Sequence, residues 1–218
     1  MGAASLRVPT QLPPRVLLAL RIVVFGLCLA PAGLLLRDLF TGGLGVNPVE
    51  TLLRELGDWG LRLLLVTLAI TPLRWLTGAA WLIRLRRMLG LFAFSYVVLH
   101  LSVFVVFEHS LRLAGILDDI ANRPYILVGF SAFLLLVPLA VTSTQGWMRR
   151  LGRRWKQLHW LVYPAAILGV AHFFLLIKAN RWTEPLIYAG ILATLLGYRL
   201  ARRAGPLRRS LGAPALRS

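Results

Sequence analysis

Six apolar runs, at 16–36, 61–76, 89–107, 125–141, 158–177 and 185–200, take up most of the chain and leave it few ways to fold. A helix needs roughly 17 to 25 apolar residues to cross the hydrocarbon of a bilayer. Backbone polar groups must be satisfied within such a segment. The runs show no alternation of polar and apolar residues, so they predict helices and not the strands of a barrel. Composition agrees, with 58% hydrophobic residues, 15% charged and a mean hydropathy of +0.72. The expected architecture is an all-α, polytopic membrane protein of six transmembrane helices. A tail at 1–15 precedes the helical domain at 16–203, and a basic tail follows at 204–218. No soluble domain, low-complexity linker or internal repeat stands out.

The net charge of +17 is placed for a membrane and not for nucleic acid. Most cations fall in the N-terminal tail, in the second connection (Arg74, Arg84, Arg86, Arg87), in the fourth (Arg149, Arg150, Arg153, Arg154, Lys156) and at the end (Arg199, Arg202, Arg203, Arg208, Arg209, Arg217). The alternate connections hold fewer, including Lys178 and Arg181. They also hold all eight acids: Asp38, Glu50, Glu55, Asp58, Glu108, Asp118, Asp119 and Glu184. The positive-inside rule then puts both termini in the cytoplasm, and the basic loops suit anionic lipid headgroups. Ala30-Pro31-Ala32 resembles a signal-peptidase site, but the apolar stretch continues through Leu34 to Leu36, which favours a retained anchor. The lone Cys28 excludes an intramolecular disulfide and a cysteine-cluster metal site.

The longest connections are the acidic ones, 37–60 and 108–124, and each has room for a short surface helix. Asn47 before Pro48 reads as an N-cap. No G-x-G-x-x-G or strand–helix alternation offers a place for a nicotinamide.

Four histidines carry the chemistry. His109 sits at the acidic mouth of the third run and reads as a solvated loop imidazole. His100, His159 and His172 lie inside runs, where an ionisable side chain is costly and points to function. At about 1.5 Å per residue, His100 lies roughly 20 Å from Arg87 and His172 roughly 20 Å from His159, so His100 and His172 are level. Two level imidazoles suit the axial positions of a haem iron. Zinc fits less well, since no Cys or carboxylate is expected at that depth. Level with His159 on the third helix stand Arg86 and Arg87. Fourteen residues from His100 return Arg86 to nearly the same face, whereas Arg87 points away. Arg86 is thus placed to complete an inner haem's coordination or to pair with a propionate or a flavin phosphate; a purely topogenic role is the alternative. His159 and His172 would not align on an ideal helix, but Pro164 between them can rewind it locally.

Eight stretches within 42–198 carry a resemblance: "GGLGVNPVE", "LAITPLR", "IRLRRMLGL", "LHLS", "RPYILVGF", "TSTQ", "WKQLHWLVY" and "EPLIYAGI". Together, in this order, they resemble the MsrQ family, haem-binding membrane subunits of bacterial protein-methionine-sulfoxide reductase systems within the ferric-reductase-like transmembrane group. The resemblance implies a six-helix protein of the bacterial inner membrane that binds haem b, one or two, and FMN. It implies electron transfer from the quinone pool or a cytosolic flavin reductase to a periplasmic molybdenum-dependent catalytic subunit that repairs oxidised methionines. It makes His100, His159 and His172 haem-ligand candidates, with His100 and His172 forming the outer site, and it assigns no residues to FMN.

"GLGVNPVE" reads as a structured turn, or as a partner or quinone contact. "TSTQ" reads as a helix cap, or as a hold on a cofactor's polar edge. Most of the Trp residues suit an interfacial aromatic belt, and Trp155 and Trp160 flank His159. A ferric reductase or oxidase is the nearest alternative function, although the attached nicotinamide domain of such proteins does not appear. A His/Arg proton-relay transporter is the next, and the absence of Asp or Glu within the runs argues against it.

Overall fold

The chain was analysed as a computed structural model that describes residues 9–176 and 182–211, with side chains described to residue 202 in the last helix. Lys178 and Arg181 in the last acidic-side connection, residues 1–8 and 212–218 of the tails, and the side chains of Arg203, Arg208 and Arg209 lie outside that description. The described residues are almost entirely helical: α1 (Pro14–Thr41), α2 (Pro48–Thr77), α3 (Ile83–Val103), α4 (Leu113–Asn122), α5 (Pro124–Val141), α6 (Gln145–Leu151), α7 (Arg153–Leu158), α8 (Val162–Leu176) and α9 (Thr183–Leu211). Prolines open α1, α2 and α5, where the missing N–H costs nothing. Gly42 and Gly78 close α1 and α2 in the left-handed conformation, at φ 76° and 73°.

Among the described residues, five segments are long and apolar enough to cross a membrane: Pro14–Thr41, Pro48–Thr77, Ala80–Glu108, Pro124–Val141 and Arg153–Leu176. They contain the first four apolar runs and the fifth as far as Leu176, Ile177 lying outside the described residues, and the chain is a multi-pass membrane protein, helical in its described residues. The sixth run lies in α9, which is not among the five; Arg199 and Arg202 crowd its apolar part. In the central α2, 61% of the most apolar window is buried, against 17% for α1 and α5 and 22% for the third segment. The apolar side chains of α1 such as Ile22, Val23 and Leu27 face outward, as a lipid-facing helix requires.

Two expectations need correction. The first acidic connection holds no separate surface helix. The Asn47 carbonyl oxygen of the side chain accepts from the Glu50 N–H as the expected cap, and α2 then runs unbroken for 30 residues, about 45 Å. Asp58 is therefore not a loop residue but lies inside a spanning helix, buried, 3.5 Å from Arg62, whose Nε donates to the Tyr188 hydroxyl of α9 at 2.8 Å. The second acidic connection does contain a helix, α4, but His109 is not solvated there. Its side chain is 12% exposed and pairs with Asp119 at 3.2 Å, while Arg123 holds the other oxygen of Asp119 at 2.9 Å.

α1 runs without interruption through Ala30-Pro31-Ala32, fastened to α3 by one hydroxyl. Tyr96, 2% exposed, donates to the Cys28 carbonyl at 2.8 Å and accepts from the Ala32 N–H at 3.0 Å. The hydroxyl thus bridges the Cys28 carbonyl and the Ala32 N–H on either side of Pro31.

Candidate functional site

His100 comes from α3 and His172 from α8, and the structure brings them together near the acidic end of the bundle. Their ring centroids are 6.2 Å apart with planes at 84°. Each ring is fixed in the same way. His100 Nδ1 donates to the Leu53 carbonyl at 2.8 Å and His172 Nδ1 to the Tyr125 carbonyl at 2.6 Å. A carbonyl only accepts, so the proton is on Nδ1 and each Nε2 keeps its lone pair for a ligand.

The two arrangements are copies of one design. In both, the carbonyl lies 47 residues upstream of the histidine. In both, a glycine one helical turn past that carbonyl lies against the imidazole: Gly57 under His100 and Gly129 under His172. Ala93 and Ala165, at 1% and 0% exposure, occupy equivalent positions seven residues before each histidine. α2 with α3 and α5 with α8 thus hold their histidines by the same local arrangement.

The spacing tests whether haem fits. A metal–imidazole bond is about 2 Å and the ring centroid lies about 1 Å behind its nitrogen, so two imidazoles on one iron have centroids about 6 Å apart. The observed separation matches, and the Nδ1–H to carbonyl bonds are the outer-sphere contacts that orient ligating histidines. Haem fits this pair.

His159 is placed differently. It opens a 3-10 turn, His159–Leu161, ahead of α8, which is the local rewinding expected near Pro164. Its Nδ1 donates to the Trp155 carbonyl at 3.1 Å, and its ring lies on Trp155 with centroids 3.8 Å apart. Among the described residues its ring partner is Trp155 and not a second imidazole. Arg86 is half-buried while Arg87 is exposed, and Arg86 is within electrostatic range of His159. Thr144 caps α6 by accepting from the Trp147 N–H at 3.4 Å, and the Thr142 carbonyl accepts from Trp155 Nε1 at 2.9 Å, so "TSTQ" anchors the connection from α5 to α7. Trp160 is 55% exposed.

Sequence reasoning missed Arg199. Counted among the topogenic cations at the end, it is 7% exposed and donates to the Tyr163 hydroxyl at 2.6 Å and to the Leu68 carbonyl. The available signal was its position inside the last apolar run.

The family model described as "Ferric reductase like transmembrane component" matches residues 56–170, a range that holds His100, His109 and His159 and ends two residues before His172. Relatives named "Protein-methionine-sulfoxide reductase heme-binding subunit MsrQ" match over most of the chain. The one from Xanthomonas axonopodis pv. citri is 49% identical over 91% of this chain and 95% of its own length. That from Rhodospirillum rubrum is 52% identical over 85% and 91%, and that from Xanthomonas campestris pv. campestris strain 8004 is 56% identical over 73% of each. The chain belongs to the MsrQ family within the ferric-reductase-like transmembrane proteins. No solved structure matches it.

Proposed function

We propose that the chain carries electrons across the bacterial inner membrane to a periplasmic methionine-sulfoxide reductase subunit, with its basic end and both termini in the cytoplasm and α9 as the sixth span. The observation that carries this reading is the His100–His172 pair, spaced at 6.2 Å with both Nδ1 protons committed to carbonyls. Haem b held there would supply a one-electron carrier in a low-dielectric setting. His100 and His172 would hold it, with Leu53, Tyr125, Gly57 and Gly129 fixing the two rings. His159 and Arg86, at the basic end, serve an inner cofactor, either a second haem or FMN, that receives electrons from the quinone pool or a cytosolic flavin reductase. The acidic end, with α4 and the turn at 42–47, docks the molybdenum-dependent partner, and the basic loops hold anionic lipid. The alternative of a proton relay loses ground because Asp58, the buried acid on α2, is already paired with Arg62.

The test is electron delivery. The full chain in liposomes is reduced and mixed with the periplasmic catalytic subunit and a methionine-sulfoxide substrate. Oxidation of its visible band, with methionine formed in proportion, is the expected result, and the His172→Ala chain should show none. A band that stays reduced in the presence of active partner and substrate excludes this function.

A further inference from the structure

The half of the bundle that ends in α6 and α7 carries no Asp or Glu, since all eight are grouped at the other end. Two arginines nonetheless turn inward there. Arg199, 7% exposed, gives Nη1 to the Tyr163 hydroxyl and Nη2 to the Leu68 carbonyl, whereas its Nε is buried with no hydrogen-bond partner. Arg86, half-buried on α3, is within electrostatic range of both Arg199 and Tyr163. α2 and α3 run antiparallel with Gly57 against His100, Gly60 against Val97 and Gly90 against Thr67. Continuing that register brings Thr71 level with Arg86, and the Thr71 hydroxyl is also buried with no partner.

The neutral partners of Arg199 satisfy geometry but not charge. A guanidinium does not lose its proton inside a protein, and a buried charge without a counter-charge is strongly destabilising. A boundary arginine usually escapes by extending to the headgroups. Arg199 does the opposite, reaching inward to Leu68, which is 0% exposed. Among the described residues no carboxylate pairs with Arg199, so a bound anion would complete its surroundings.

We propose that Arg86, Arg199 and Thr71, with Tyr163 bracing Arg199, form a receptor for a phosphate monoester carried by a cofactor. Two fixed cations match the charge of a monoester, about −1.5 to −2, better than the single charge of a lipid phosphodiester. Guanidinium forks and a hydroxyl are the donors phosphate oxygens take. The inference rests on the reading above in that FMN is the monoester expected, and it supplies residues for the FMN phosphate.

The experiment compares two flavins that differ only in that phosphate. The purified full chain, stripped of flavin, is titrated with FMN and with riboflavin by fluorescence quenching, alongside Arg199→Gln, Arg199→Lys and the isosteric Thr71→Val. The unmodified chain should prefer FMN by roughly tenfold or more. The preference should fall to about twofold or less in Arg199→Gln, be partly retained in Arg199→Lys, and weaken in Thr71→Val, which reports even where an arginine variant does not fold. Equal affinity for both flavins, or an FMN preference unchanged in every folded variant, overturns this site and leaves the flavin reading standing. Displacement of FMN by excess anionic phospholipid assigns the cluster to lipid and also overturns it. Failure to bind either flavin overturns both.

Discussion

Gly129 lies directly beneath the imidazole of His172: a Cβ on this glycine would stand 2.7 Å from Nδ1 and 2.9 Å from Cε1. The equivalent contact of Gly57 with His100 is looser, at 3.1 Å and 3.3 Å. The absence of a side chain lets each ring lie against the neighbouring helix and reach a carbonyl one turn away. Gly129→Ala should therefore push the His172 ring off the Tyr125 carbonyl at a cost of about 1–3 kcal/mol, and Gly57→Ala should cost less. Haem per polypeptide after purification measures this, with the larger loss expected in Gly129→Ala. Equal retention in both variants would mean that the rings adjust freely.

Tyr96→Phe removes the hydroxyl that joins Cys28 and Ala32. Two buried backbone groups then lose their partner, a loss of about 1–3 kcal/mol. The thermal midpoint in detergent should fall, with α1 becoming susceptible to protease before the rest of the bundle. An unchanged midpoint would show that α1 closes its own rung at Pro31.

Arg62→Met leaves Asp58 buried without its cation, and so should destabilise the bundle more than the double variant Asp58→Asn/Arg62→Met does. Arg62 is itself 39% exposed, so solvent screens part of the loss, on the order of 1–2 kcal/mol. Denaturation of the two variants side by side settles the sign. A double variant no more stable than Arg62→Met alone would contradict the pairing.

The sequence and the structure agree where lipid imposes the rule. The apolar runs are helical wherever they are described, the fifth through the 3-10 turn at His159–Leu161 and as far as Leu176, and Asn47 caps α2 as its place before Pro48 suggests. Helical arithmetic from His100 separates the half-buried Arg86 from the exposed Arg87. It also sets His100 level with His172, and the rings meet. What was not legible follows from the same physics. Asp58 reads as a loop residue because acids interrupt the apolar run, although Arg62 on the next turn pairs with it and the helix continues through it. His109 reads as solvated because its partner, Asp119, comes from another element. Arg199 reads as a topology signal because hydropathy does not record which way an arginine turns. The shared way of holding His100 and His172 is hidden because few positions, such as Gly57 with Gly129 and Ala93 with Ala165, carry it. The lipid-facing positions need only be apolar and are free to differ.

The most direct measurement of the central claim is the oxidised and dithionite-reduced absorbance of the purified chain, with haem per polypeptide, for the unmodified protein and for His100→Ala, His172→Ala and His159→Ala. The account predicts a sharp reduced b-type α band in the unmodified protein, its loss from the outer site in both His100→Ala and His172→Ala, and its persistence in His159→Ala. Equal and complete haem loss in all three, or no haem in the unmodified protein expressed with ample haem supply, would contradict it.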